Sequence, residues 1–165
     1  MTTDFTLSET SIAEATPAIL DLHDRGYRDF DPRFSDAHMP EMLAYVHQTL
    51  EEAETLDGAR NRAWLGQVAG RAEGCIALID RGERCQLRWF VVAPGARGLG
   101  MGRTLMTACM DYASAGPWTC IYLETVEGLA ASMGLYEAWG FKTTRNAGAD
   151  LWHGHGHEVI MARAV

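Results

Sequence analysis

The sequence has little positive charge: 14 lysines and arginines stand against 22 acidic residues, and Lys142 is the only lysine. A net charge of −8 argues against nucleic-acid binding or docking on anionic lipid, since both need a basic surface. No apolar run approaches the roughly 20 residues of a membrane-spanning helix, and the first ten residues do not resemble a signal peptide. We therefore expect a cytoplasmic protein with no nucleic-acid partner and no membrane partner.

Paired cysteines are also lacking. The four cysteines, Cys75, Cys85, Cys109 and Cys120, are far apart, and none belongs to a C-x-x-C pair. Each lies in or beside an apolar segment, which is typical of small, reduced core residues in a cytosolic protein. We therefore expect free thiols, with no disulfide.

The hydrophobic pattern predicts an α/β protein in a single domain, residues 1–165, without repeats or linkers. The predicted order is β-α-α-β-β-β-α-β-α-β-β, a mixed, twisted sheet with helices on it. Strands are predicted near 5–9, 63–69, 74–80, 85–94, 118–126, 141–145 and 157–165, and helices near 10–26, 35–56, 100–115 and 128–139. A turn at 81–83 makes a hairpin of the third and fourth strands. If the fourth and fifth strands are parallel, their connection should be a right-handed crossover.

A glycine-rich turn, "RGLGMG" at 97–102, follows a strand and opens a helix. Glycines allow close backbone approach, and the free N–H groups of a helix N-terminus favour a phosphate. A Walker loop is excluded because the required lysine is missing. A Rossmann fingerprint fits poorly because Gly98, Gly100 and Gly102 give the wrong glycine spacing.

The turn does match R-x-x-G-x-G, and "LYEAWGF" at 135–141 matches L-Y-x-x-x-G-F. These two motifs, in this order and on these elements, resemble the signatures of the GNAT family of N-acetyltransferases. More narrowly, 87–106 and 123–141 are similar to the acetyltransferase domain that some bacterial proteins carry behind a MarR-type DNA-binding domain. The resemblance implies the GNAT fold: a splayed sheet of six or seven strands flanked by about four helices.

The resemblance also implies acetyl-coenzyme A as co-substrate and assigns its contacts to two segments. The edge of the fourth strand would pair with the pantetheine chain, and backbone N–H groups of the turn would hold the pyrophosphate. The residues concerned are Phe90, Val91 and Val92 on the strand, and Arg97, Gly98, Leu99, Gly100, Met101, Gly102 and Arg103 in the turn.

The implied reaction is direct attack of a primary amine on the thioester. The oxyanion needs a donor, most simply a strand N–H near Val91, and the leaving thiolate benefits from a proton. Tyr136 matches the family tyrosine placed near the sulfur and can donate one. Glu124 lies at a strand position that supplies the base in some relatives, and His157 is the other candidate. Gln86 occupies a further family base position but cannot take a proton.

His157 belongs to a run in which His153, His155 and His157 alternate with glycines. In a strand these side chains would lie about 6.6 Å apart on one face, and the glycines weaken a regular strand. We expect a loop entering the last strand, beside the acceptor amine, and no metal. A zinc protein built on these histidines is the competing interpretation.

Another function remains open. Many relatives have an asparagine where this sequence has Leu129, so one polar contact to the coenzyme is lost. The presence of Leu129 and Gln86 at these positions is also compatible with a non-catalytic acyl-coenzyme-A sensor or regulatory module. The sequence does not identify the acceptor amine, and a homodimer is an expectation only because dimers are frequent in the resembled family.

Overall fold

The computed structural model describes residues 4–27, 36–55, 59–126, 130–151 and 156–165. Within them, strands and helices follow one another in the predicted order. The strands are β1 (Thr6–Thr10), β2 (Arg62–Val68), β3 (Arg71–Asp80), β4 (Arg84–Val92), β5 (Cys120–Val126), β6 (Lys142–Leu151) and β7 (Gly156–Ala164). The α-helices are α1 (Ile12–Tyr27), α2 (Met39–Thr55), α3 (Met101–Ala115) and α4 (Ala130–Ala138).

The seven strands form one sheet in the order β1-β2-β3-β4-β5-β7-β6. β4 and β5 are parallel, the condition under which a right-handed crossover is expected between them, and the other neighbouring pairs are antiparallel. Arg81 N–H donates to the Arg84 carbonyl at 2.9 Å and closes the predicted hairpin between β3 and β4. The mixed seven-stranded sheet with four helices confirms the predicted fold class.

Each face of the sheet carries its own core. α1 and α2 pack on one face, where Ile12, Ala15, Ile19 and Leu22 are buried at the spacing of a single helical stripe. α3 and α4 pack on the other face, where α3 buries Leu105 and Cys109 together with four further residues. The cysteines are free, as expected, and three of them are buried.

Two boundaries differ most from the prediction. α2 begins at Met39 rather than near 35, and Pro40 lies in its first turn, where a missing N–H costs nothing. β6 does not stop at 145 but continues to Leu151, with two irregularities in its pairing to β7. Ladder hydrogen bonds to β7 hold this segment extended although its Asn, Gly and Asp residues disfavour strands.

A β-bulge interrupts β4. Cys75 of β3 pairs with Val91, whereas Ala77, two residues on, pairs with Arg88, so β4 carries one extra residue. Trp89 within the bulge has φ +50°, and its carbonyl accepts a hydrogen bond from the Cys75 thiol at 3.0 Å. Because side chains alternate along a strand, the extra residue reverses which face each later side chain occupies.

The reversal is visible in the two cores. Before the bulge, Cys85 and Leu87 belong to the core on the α3 side. After it, Trp89 and Val91 belong to the core on the α1 and α2 side. Phe90 therefore turns toward α3 and packs against that core. The bulge thus gives the end of β4 a different set of side chains from the one that uninterrupted alternation predicts.

Candidate functional site

A cleft of about 630 Å³ opens where β4 ends and α3 begins. Its walls come from the end of α1, the end of β4, the glycine-rich turn, the first residues of α3, and α4. The lining residues are Gly26, Tyr27, Phe90, Val91, Val92, Ala96, Arg97, Gly98, Gly100, Met101, Gly102, Arg103 and Leu135. The structure therefore brings together at one cleft all but one of the residues predicted to bind the coenzyme.

Leu99 is the exception, because it packs partly buried against the α3-side core instead. In turn, the cleft includes Gly26, Ala96 and Leu135, which the sequence analysis did not assign to the site. Leu135 stands inside the second motif, so the motif itself was the available signal. Gly26 gave none, because its place in the cleft depends on how α1 crosses β4.

The separation of β4 and β5 makes room beside this cleft. The parallel pairing covers only three residues of each strand and ends at Gln86 and Tyr122. β4 continues to Val92 and β5 to Val126 without pairing to each other. The edge of β4 beyond Gln86 is thus free of β5, and an extended chain can pair with it there.

The glycine-rich turn has a backbone that favours glycine at two positions. Gly98 has φ +81° and Gly100 has φ +84°, in the left-handed region that costs residues with a Cβ about 1 kcal/mol or more. Gly100 is also the N-cap of α3 and makes no side-chain cap. The sequence folds this way because both left-handed positions fall on glycines.

The first turn of α3 offers unbonded N–H groups. The first α3 backbone bond runs from Thr104 N–H to the Gly100 carbonyl, at 3.1 Å. The N–H groups of Met101, Gly102 and Arg103 precede that bond and have no carbonyl within the helix. They point out of the N-terminus at the positive end of the helix dipole, an arrangement that suits a phosphate.

The Arg97 side chain connects the glycine-rich turn to neighbouring elements by hydrogen bonds. Its Nε donates to the Val92 carbonyl at 3.0 Å and its terminal nitrogen to the Gly26 carbonyl at 3.1 Å. Its backbone N–H is directed at the Pro94 carbonyl, at 3.4 Å. Arg97 therefore joins the turn to β4 and α1, and its own N–H is the least available of those predicted to hold a pyrophosphate.

Tyr136 lies behind the cleft wall. The residue is 8% exposed, and its ring packs 6.3 Å from the Phe90 ring and 6.0 Å from the Phe141 ring, measured between centroids. Burial, with smaller effects from Tyr27 and Cys109, raises the pKa of its hydroxyl above the ordinary range. The phenol therefore keeps its proton at every physiological pH and is a donor.

The hydroxyl of Tyr136 is not enclosed. No buried side-chain N or O atom among the described residues lacks a hydrogen-bond partner, and within that set none of the hydrogen bonds involves this hydroxyl. It therefore keeps some accessible surface while the ring is packed. A ligand atom or water reaching this point would be its partner.

The candidate base Glu124 and the further family position Gln86 lie on neighbouring strands, β5 and β4. Glu124 is exposed on β5, two residues beyond Tyr122. Gln86 is 2% exposed and accepts hydrogen bonds from Arg81 Nε at 3.0 Å and from Tyr122 at 3.4 Å. Gln86 is thus occupied within the protein, consistent with the expectation that it takes no proton.

His157 lies in β7, opposite Asp150 of β6. His153 and His155 lie outside the described residues, as does Leu129, so the interpretation of that run stays a prediction. Among the residues that the structure describes, no group of three His, Cys, Asp or Glu side chains could hold a metal ion. In the same part of the chain, no helix is long and apolar enough to cross a membrane.

A sequence model of the acetyltransferase (GNAT) family matches residues 19–141, most of the chain. A curated relative, an uncharacterised N-acetyltransferase of Schizosaccharomyces pombe, is 32% identical over 77 residues. That alignment covers 46% of this chain and 47% of the relative, so the chain matches about half of the relative's length.

Solved structures show the same fold. An acetyltransferase of Streptococcus agalactiae superposes with a TM-score of 0.72 and 23% identity over 98% of each chain. The PaiA N-acetyltransferase of Thermoplasma acidophilum, solved in complex with coenzyme A, superposes with a TM-score of 0.74 and 14% identity. The superposition covers 98% of this chain and 99% of that one.

Proposed function

Since the chain belongs to the acetyltransferase (GNAT) family, we propose that it moves an acetyl group from acetyl-coenzyme A to a primary amine. The observation that carries the proposal is the cleft at the end of β4. It joins an unpaired strand edge to a helix N-terminus with unbonded N–H groups, and a ligand with an extended pantetheine chain attached to a pyrophosphate needs both.

The coenzyme would lie along this cleft. The N–H groups of Met101, Gly102 and Arg103 hold the pyrophosphate, with Gly98, Leu99 and Gly100 shaping the turn around it. Phe90, Val91 and Val92 present the strand edge to the pantetheine chain. The solved relative from Thermoplasma acidophilum was crystallised with coenzyme A, which supports this choice of co-substrate.

The reaction balances without a metal or a covalent enzyme intermediate. The amine nitrogen attacks the thioester carbonyl carbon, the carbon–sulfur bond breaks, and an amide and a coenzyme A thiolate result. A backbone N–H near Val91 stabilises the oxyanion. The protonated hydroxyl of Tyr136 donates a hydrogen bond that stabilises the leaving thiolate, whose conjugate thiol has a reference pKa of about 8.5 and which takes its proton from water.

The proton lost by the amine goes to Glu124 in this proposal. Glu124 is exposed and stands beside the opening between β4 and β5. An acceptor amine that enters the opening from the sheet face opposite α3 would reach a base at this position. His157 is the second candidate, in the last strand at its junction with β6.

The chain is proposed to work as one N-acetyltransferase domain, residues 1–165, in the cytoplasm. The four cysteines are free thiols, which is usual in a reducing compartment, and burial raises the pKa of Cys75 and of Cys85 to about 12. Thiols held protonated in this way are slow to oxidise.

The test follows the free thiol of coenzyme A. Purified protein, acetyl-coenzyme A and a panel of primary amines are mixed, and thiol release and the mass of the acetylated amine are measured. The proposal expects both signals with at least one amine, above the rate of protein and acetyl-coenzyme A alone. Tight coenzyme binding with no acetylated product from any amine would favour the sensor instead.

A further inference from the structure

Arg88 is a half-buried guanidinium without a carboxylate partner among the described residues. Its central carbon lies 5.1 Å from the centroid of the Trp89 ring. Arg25, by contrast, pairs with Asp21 at 2.8 Å and with Glu73 at 3.0 Å. A partly buried charge ordinarily finds a counter-ion, and this chain has 22 acidic residues to offer one. Among the residues that the structure describes, Arg88 is therefore a cation without a carboxylate counter-ion.

Its position relative to β5 follows from the strand register. The last parallel pair is Gln86 with Tyr122, and two residues further along each strand come Arg88 and Glu124. Cys85, Leu87, Ile121 and Leu123 all belong to the α3-side core. By alternation, Arg88 and Glu124 share the opposite face. They stand on the two sides of the opening, where the strands have just parted.

Glu124 is likewise uncompensated. It is exposed, and in the part of the chain that the structure describes it has no cation within ion-pair distance. Nor does an ion pair join it to Arg88. Within the described ranges, a cation without a carboxylate partner and a carboxylate without a cation partner thus face the same opening, on the face away from the α3 N-terminus that would hold the coenzyme.

We infer that Arg88 and Glu124 select an acceptor that carries a carboxylate as well as its amine, as an amino acid does. The planar guanidinium fork binds the carboxylate through two parallel hydrogen bonds. Glu124 receives the ammonium group and accepts its proton before attack. An acceptor with a second ammonium group would place that charge against Arg88 and be disfavoured. The inference rests on the proposed acetyl transfer and names its substrate class.

Matched substrates test the inference. Leucine, phenylalanine and glutamate are each compared with the corresponding α-carboxamide, which keeps the side chain and amine but has no α-carboxylate. The carboxamide amine has the lower pKa, so intrinsic reactivity favours the carboxamide. We expect the wild type to prefer at least one free acid, by about tenfold or more in kcat/KM, the usual effect of a charge-assisted pair.

Three variants distinguish a role of Arg88 in recognising the acceptor carboxylate from a role in maintaining the protein structure. Arg88→Gln should remove the preference by raising KM for the acids while leaving kcat and the carboxamides nearly unchanged, and Arg88→Lys should restore part of it. Arg84→Gln is the matched control, because Arg84 lies on the same strand at its paired end, stacked 4.6 Å from the Tyr122 ring. A wild type that prefers carboxamides, or an acid preference that survives Arg88→Gln, overturns the inference and leaves the acetyl transfer standing.

A binding measurement keeps the two proposals distinguishable. Calorimetric titration of N-acetylleucine and N-acetylleucinamide into protein saturated with coenzyme A reports the anion site without turnover. We expect the acid to bind about tenfold more tightly, and Arg88→Gln to remove the difference. If no amine is acetylated but this difference is found, the acetyl transfer fails and the carboxylate site stands. Equal affinities in the wild type contradict the site.

Discussion

The Tyr122 hydroxyl of β5 donates to Gln86 Oε1 of β4 at 3.4 Å, and these two residues are the last in register between the strands. This side-chain hydrogen bond therefore lies at the point where β4 and β5 separate. Gln86 also accepts from Arg81 Nε at 3.0 Å, and it is nearly fully buried. A neutral amide at this point joins the strands without adding a charge to the opening beyond it.

Tyr136→Phe should lower kcat at least about tenfold while leaving coenzyme A affinity nearly unchanged, because it removes the proposed hydrogen bond to the leaving thiolate and keeps the buried ring. Stopped-flow thiol release and calorimetry with coenzyme A check the two parts. Tyr45→Phe is the control, since Tyr45 is exposed on α2. A Tyr136→Phe protein with wild-type kcat would remove the tyrosine from the mechanism.

Glu124→Gln should reduce kcat/KM by about a hundredfold if Glu124 is the base, the lower end of the usual range. His157→Ala is measured alongside, over a pH series. We expect the glutamate variant to lose the rate and the histidine variant to keep both rate and pH profile. The opposite result would transfer the role to His157.

Gly100→Ala should weaken coenzyme A binding several-fold and lower the free energy of unfolding by about 1 kcal/mol, because alanine is strained at φ +84°. The strain moves the N–H groups at the start of α3. Gly95→Ala is the matched control. Gly95 lies in the same connection between β4 and α3, it has no positive φ, and a Cβ there would meet nothing within 4 Å. Equal coenzyme affinity in the two variants would contradict this role of the turn.

Gly26→Ala should destabilise the protein by about 1–3 kcal/mol, a typical cost of overpacking. A Cβ at Gly26 would lie 2.5 Å from Cγ1 of Val91, and both residues line the cleft. Gly134→Ala in α4 meets nothing within 4 Å and should instead gain up to about 1 kcal/mol of helix propensity. Urea unfolding of both variants checks the opposite signs, and the same sign in both would contradict the close crossing.

His23 should make stability depend on pH. Burial, and secondarily Arg88, lowers its pKa from 6.5 to about 4, while Nδ1 bonds to the Ile19 carbonyl at 2.7 Å. Above pH 6.5 the imidazole is neutral in both the folded and unfolded states. Between pH 6.5 and 4 only the unfolded state takes up the proton, so stability falls as pH falls, by at most about 3 kcal/mol.

The free energy of unfolding is measured at pH 7.5, 6.0 and 4.5 in wild type and in His23→Asn, whose amide nitrogen stands where Nδ1 stood. We expect the variant to lose less stability over this range. His47→Asn is the control because His47 lies on the exposed surface of α2. Parallel wild-type and His23→Asn curves would rule out His23 as the source of the pH dependence.

The sequence by itself determined the order of elements, the glycine-rich turn and the two motifs, because these are local. Gly98 and Gly100 permit the left-handed backbone wherever the chain goes, and the stripe from Ile12 to Leu22 predicts a buried helix face without knowledge of the partner.

Only the tertiary structure decided the rest. The bulge at Trp89 depends on how β4 registers against β3, and it reverses the face of every later side chain in β4. The length of β6 depends on ladder bonds to β7 that its own residues do not favour. The point at which β4 and β5 separate depends on a register between strands 36 positions apart in sequence, which ends at Gln86 and Tyr122. Such pairings are non-local, so no pattern within one segment encodes them.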